Sequence, residues 1–411
     1  MKHTNTRILI IIYFNFLFIY GSLNNVEPFC QLRITTNKNL FFKACFGVPY
    51  ALPPVEDLRF RLPIECNNWF NHLNFTKEKL PCIGFNVKGH EDCLYLNIFT
   101  PITKNNYLSV IVWIPGQFFL NADTTFLSNG PDYFIEQEVI FVTVSYRQGL
   151  FGFASTEDEV LPGNMGIADI FAALKWIKKY IKKFNGDGDN ITIMAHGSGA
   201  VCVSILQQNY LSKGLFQRII LHSGSSLVTW GRSENSKRFI LKLGKELNLN
   251  TNSTDSLVNS LRCYKNISRL HKTTKKVYKS FLKDINPLNG NIIGPVLTNN
   301  GKFLSGPAHE SFFQNNFTSV PIIIGYTVLE AISDSIQYIS GYVSKMNSTD
   351  FYMSSIKADE KYKDNIGSMI EKNYFMPGVE KNILRSLRVV SFAPRSILVH
   401  RSHANKLSIS S

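Results

Sequence analysis

The residues that bear most directly on chemistry are Ile191-Thr-Ile-Met-Ala-His-Gly-Ser-Gly-Ala200, an apolar run that breaks at Gly197-Ser198-Gly199 and continues into a helical pattern. A nucleophile elbow has this layout. Its serine sits on the sharp turn between strand and helix, with small residues two places before and after, so that the hydroxyl stands clear of the backbone. Ala195 and Gly199 take the small places, and Gly197 takes the serine's. Glycine has no hydroxyl, thiol or carboxylate to attack a carbonyl, so the frame of a nucleophile site is present without its nucleophile. Using Ser198 instead would put His196 where the tight turn wants a glycine, so that residue is expected not to stand in.

An elbow needs a strand before it and a sheet around it. Apolar runs at Leu94–Phe99, Val110–Ile114, Val139–Val144, Ile191–Met194, Arg218–His222 and Val320–Tyr326 read as strands alternating with helical patterns. After Asn164, residues Ile167, Ile170, Phe171, Leu174, Ile177 and Ile181 recur at three and four places and predict an amphipathic helix lying on a sheet. Continuous apolar strands separated by such helices predict an α/β fold with a mostly parallel sheet covered on both faces. No internal repeat or low-complexity tract interrupts the pattern.

The ends and composition narrow the class. Charged residues from Lys2 to Arg7, an apolar run from Ile8 to Tyr20 and the pair Gly21-Ser22 read as a secretory signal peptide over residues 1–21. Residues 22–411 show no linker and read as a single domain, with no further membrane span expected. Export agrees with sequons at Asn74, Asn190, Asn252, Asn266, Asn316 and Asn347. Seven cysteines (Cys30, Cys45, Cys66, Cys82, Cys93, Cys202 and Cys263) leave at least one unpaired within the chain, and spacing alone does not choose the pairs. The net charge of +14 lies on helical faces such as Lys178, Lys179, Lys182 and Lys183. Without aromatic interleaving it argues against a nucleic-acid module and reads as a solvated surface, with acidic glycans as the lesser reading. No metal or cofactor is expected.

Four further segments carry a resemblance. They are Phe46-Gly-Val-Pro-Tyr through Arg61, Glu91-Asp-Cys-Leu-Tyr-Leu-Asn-Ile98, Tyr146–Phe153 with Pro162–Gly166, and Lys213–Phe216 with Ser223-Gly224. With the elbow, they resemble the type-B carboxylesterase and cholinesterase family, which implies an α/β-hydrolase fold from about Phe41 to Glu330. The resemblance implies a disulfide between Cys82 and Cys93. No tryptophan lies between them, so a choline substrate has no support. It places Gly197 at the nucleophile position from both flanks without a gap. The family's glycine-rich oxyanion loop corresponds to Pro115-Gly116-Gln117-Phe118-Phe119, and the donors would be the N–H groups of Gln117, Phe118 and Ser198. Side chains at the first two crowd a backbone that glycine leaves free to turn. Glu330 matches the triad glutamate. No residue matches the triad histidine, because His400 and His403 sit in a basic tail without the family's context. Relative to the family, the last quarter of the domain is absent, so the domain reads as incomplete at its C-terminal end.

A triad works as a unit, so these departures together imply a non-catalytic member. Neuroligins are similar in having a glycine at the nucleophile and a cysteine shortly after, here Cys202. The expected role is a secreted or cell-surface glycoprotein that binds an extracellular protein, with a homodimer as a further expectation. The alternatives are an ester hydrolase using Ser198, a carrier that keeps the gorge as an apolar pocket, or a degenerate product without a stable fold.

Overall fold

Nine strands form one sheet in the computed structural model, which describes residues 28–67, 74–282, 291–297 and 317–327. They are β1 (Phe29–Ile34), β2 (Phe41–Pro49), β3 (Asn74–Phe75), β4 (Tyr95–Pro101), β5 (Leu108–Ile114), β6 (Ile140–Val144), β7 (Gly186–His196), β8 (Arg218–His222) and β9 (Ile322–Gly325). Across the sheet the order is β3-β1-β2-β4-β6-β5-β7-β8-β9. Pairing is parallel from β6 through β5, β7 and β8 to β9, and between β1 and β3. It is antiparallel for β1–β2, β2–β4 and β4–β6. The helices are α1 (Asp132–Ile135), α2 (Gly149–Phe153), α3 (Met165–Tyr180), α4 (Ser198–Gln207), α5 (Ser236–Glu246), α6 (Thr254–Arg262) and α7 (Ile267–Phe281). This is an α/β-hydrolase sheet, mostly parallel through its centre.

Strands buried on both faces carry unbroken apolar runs, and every residue of β6 is buried. Helix α3 presents Ile167, Ile170, Leu174 and Ile177 to the core, each fully buried. Burying one such side chain contributes about 1.5–3 kcal/mol. Strand β7 begins at Gly186, five residues earlier than its apolar run. Leu108 pairs with Gly186 there, so the ladder continues through polar residues that hydrophobicity alone does not mark.

Two buried ion pairs join the distinctive segments. Arg59 Nε and Nη2 donate to the Glu91 carboxylate at 2.5 and 2.9 Å, while Nη1 donates to the carbonyls of Leu261, Arg262 and Tyr264. Arg147 grips Asp169 of α3 through Nε and Nη2, each at 2.7 Å. Cys82 and Cys93 form a disulfide, and Cys30–Cys45 forms a second that ties β1 to β2. Cys66, Cys202 and Cys263 are free thiols. Residues 1–21, Glu330, His400, His403, Asn316 and Asn347 lie outside the described residues.

Candidate functional site: the turn between strand and helix at Gly197

Strand β7 ends at His196, helix α4 starts at Ser198, and Gly197 makes the turn alone with φ 57° and ψ −123°. The Gly197 N–H donates to the His222 carbonyl at 2.9 Å, and its own carbonyl accepts from Val201 N–H at 3.1 Å. Those bonds hold the turn between β8 and the first turn of α4. A Cβ built on Gly197 would lie 2.4 Å from the Gly116 carbonyl oxygen, well inside van der Waals contact. The loop after β5 thus fills the space that a side chain at 197 would need.

That loop is fastened from several sides. The Tyr146 hydroxyl donates to the Pro115 carbonyl at 2.7 Å, and burial pushes this phenol far above its ordinary range, keeping it a donor. Gln117 N–H donates to the Asn121 carbonyl at 2.8 Å, so this candidate oxyanion donor already has a partner. Phe118 and Phe119 stand at φ 52° and 61°, in the left-handed region that side chains rarely adopt. Their rings pack on Trp230, with centroids 5.5 and 6.1 Å away, and Phe119 also meets Phe153 at 5.1 Å. Aromatic packing therefore holds a backbone conformation for which glycine would be the unstrained choice.

Ser198 is fully buried, and its hydroxyl lies beside that of Tyr146 without a well-aligned hydrogen bond among the described residues. Gly116 covers it so closely that a Cβ there would lie 2.5 Å from the Ser198 Oγ. Cys202, one turn further along α4, is also fully buried, and burial raises its thiol far above the usual range. It is a packing residue with no thiolate to offer. The structure therefore brings Gly197 and Ser198 against Gly116, the residue before Gln117 and Phe118, while Glu330 falls outside the described residues. Sequence reasoning missed the Gly116 carbonyl and the Tyr146 clamp, because both act through contacts between segments far apart in the chain. Among the described residues no cluster of His, Cys, Asp and Glu could hold a metal ion, and no helix is long and apolar enough to cross a membrane.

The sequons differ in their surroundings. Asn74, Asn252 and Asn266 are exposed. Asn266 also caps α7, its side chain accepting from Arg269 N–H. At Asn190 the amide is engaged on both atoms: Nδ2 donates to Ser109 Oγ at 2.8 Å, and Oδ1 accepts from Arg218 at 2.6 Å.

Comparison with known proteins agrees with this architecture. A family model described as "Carboxylesterase family" matches residues 32–390. Liver carboxylesterase 1 of Oryctolagus cuniculus is 30% identical over 358 residues, which is 82% of this chain and 61% of that protein. Esterase FE4 of Myzus persicae is 36% identical over 57% of this chain and 43% of its own length. Juvenile hormone esterase of Tribolium castaneum is 40% identical over 46% of this chain and 34% of its own. The chain spans about half the length of these curated relatives. Among solved structures, the juvenile hormone esterase of Manduca sexta with OTFP covalently attached superposes with a TM-score of 0.77 at 23% identity, covering 91% of this chain and 73% of that one. With a family match across most of its length and the sheet to go with it, the chain belongs to the carboxylesterase family.

Proposed function

We propose that this carboxylesterase-family chain does not turn over esters and acts instead by binding, as an exported glycoprotein whose partner is another extracellular protein. The observation that carries the proposal is Gly197. It keeps the strained elbow turn, offers no attacking atom, and leaves no room for one beneath the Gly116 carbonyl. The engaged Gln117 N–H and the aromatic oxyanion loop support the same reading, because transition-state stabilisation needs donors aimed at the developing oxyanion. Binding through the outer surface, by one copy or by a homodimer, is the role left to a scaffold whose active turn is closed. Export is supported by the sequence pattern of residues 1–21 and by exposed sequons on the described surface.

The relatives are esterases by name, which favours a second reading: hydrolysis by Ser198. Against it stands the complete burial of that hydroxyl beneath Gly116, since a nucleophile must reach its substrate. The deciding experiment measures p-nitrophenyl ester turnover and diisopropyl fluorophosphate labelling on the purified protein. Neither signal is expected above a heat-denatured control. Turnover and label that both vanish in Ser198→Ala would replace the proposal with a displaced-nucleophile esterase.

A further inference from the structure

The positive charge is far less evenly spread than a helix-by-helix reading of the sequence suggests. Residues 236–282 hold eleven Lys and Arg against two acidic residues, Glu246 and Asp255, a net of +9 within the chain's +14. This segment is the helical unit α5–α6–α7, in which α5 packs on α7.

Helix geometry gathers the charge onto one side. At about 100° per residue, Arg269, Lys272, Lys275, Lys276 and Lys279 of α7 fall within an arc of about 120°. Leu270, Thr274, Val277, Tyr278 and Phe281 occupy the opposite side and are buried. On α5, Arg238, Lys242 and Lys245 likewise lie opposite the buried Phe239, Ile240 and Leu243. Arg238 and Lys242 of α5 sit 5.2 and 5.1 Å from the centroid of Phe281, on the buried side of α7, and the two faces adjoin through one ion pair, in which Lys276 of α7 meets Glu246 of α5 at 2.7 Å. That pair occupies one of the two carboxylates in the segment, so little internal charge compensation remains.

We infer that the joined outer faces of α5 and α7 are a binding surface for a sulfated glycan polyanion. Rows of Lys and Arg at helical spacing neutralise a chain of regularly placed sulfates and release its counterions, which supplies affinity without a shaped pocket. The choice among polyanions follows from what the surface lacks. None of the exposed large apolar side chains of the described surface lies between residues 236 and 282. The face therefore has nothing to insert into a bilayer, and no exposed ring on which nucleic-acid bases could stack. A glycan of the cell coat asks for neither. Its cellular source rests on the export proposed above, whereas a binding measurement on purified protein does not, so the two can fail separately.

The test titrates the full glycosylated chain with a fluorescent heparin oligosaccharide at several NaCl concentrations. In the variant Arg269→Ala/Lys272→Ala/Lys279→Ala, affinity should fall roughly tenfold or more, and the salt dependence should weaken as for about three lost ionic contacts. A control variant, Lys179→Ala/Lys182→Ala/Lys183→Ala, should change affinity less than about twofold. The charge-conserving variant Arg269→Lys/Lys272→Arg/Lys279→Arg should retain binding, which separates lost charge from lost folding. Equal loss in the control, or no loss in the triple alanine variant, would overturn the inference. So would tighter binding of phosphatidylserine vesicles or of a DNA duplex through the same residues.

Discussion

Placing a serine at Gly197 is the sharpest perturbation available, and the geometry makes a definite statement about it. In Gly197→Ser the new Cβ would begin 2.4 Å from the Gly116 carbonyl oxygen, so that carbonyl must retreat by about 1 Å to reach ordinary contact. It cannot retreat freely, because Tyr146 holds Pro115 and the Gln117–Asn121 bond closes the loop behind it. Overpacking of this kind costs about 1–3 kcal/mol. A non-glycine residue at φ 57° adds about 1–3 kcal/mol of backbone strain. The variant should therefore lose about 2–6 kcal/mol of stability and gain no esterase activity. Gly197→Ala should lose the same amount to within about 0.5 kcal/mol, since both costs belong to the Cβ and not to the hydroxyl. Urea unfolding followed by fluorescence gives the stabilities, and p-nitrophenyl acetate turnover with fluorophosphate labelling gives the chemistry. A Gly197→Ser protein as stable as the parent, or one that hydrolyses ester, would refute the argument that the loop has closed over the turn.

Other outcomes follow from the same contacts. Ser198→Ala removes a buried hydroxyl that makes no well-aligned hydrogen bond and should raise stability by about 1 kcal/mol in urea unfolding; a loss of that size would mean the hydroxyl is bonded to its neighbour Tyr146. Asp169→Asn strips the partner from a fully buried Arg147 and should cost about 3–5 kcal/mol, again read from unfolding midpoints. Glycopeptide mass spectrometry should find glycan on Asn252 and Asn266 and bare side chain at Asn190, whose amide is engaged by Ser109 and Arg218. Burial, and then the charge of Lys275, hold the His271 imidazole below its ordinary 6.5. The folded chain then binds fewer protons than the unfolded chain as pH falls through that value, so this residue's contribution to stability declines toward acidic pH. His271→Gln should flatten the dependence between neutral and mildly acidic pH, and an unchanged slope would remove His271 as its source.

Much of the scaffold is legible in the sequence because its causes are local. An unbroken run such as Ile140–Val144 has no polar face to wet, so it announces a strand buried on both sides. The recurrence from Ile167 to Ile181 describes a helix with one buried stripe before any partner is known. Gly197 at an elbow is likewise a local fact, since strand, turn and helix follow one another within a dozen residues. Two strand segments are harder to read: β1 and the polar start of β7 are strands because neighbours complete their ladders. The Cys30–Cys45 bridge depends on a hairpin register that brings the two Cα atoms within 4.6 Å, and spacing alone does not reveal this.

The sequence by itself thus determined that a glycine, with no side-chain atom to attack a carbonyl, stands at the turn. Only the tertiary structure decided that the space is also closed. The carbonyl that fills it belongs to Gly116, eighty-one positions earlier, and reaches the turn through the parallel pairing of β5 with β7. The basic face of α5 and α7 has the same origin. Each helix carries its charges by local periodicity, but only packing of one on the other sets them side by side. Periodicity acts over a few residues along the chain. Steric closure and summed charge act over a few ångströms in space, and folding alone makes those neighbours.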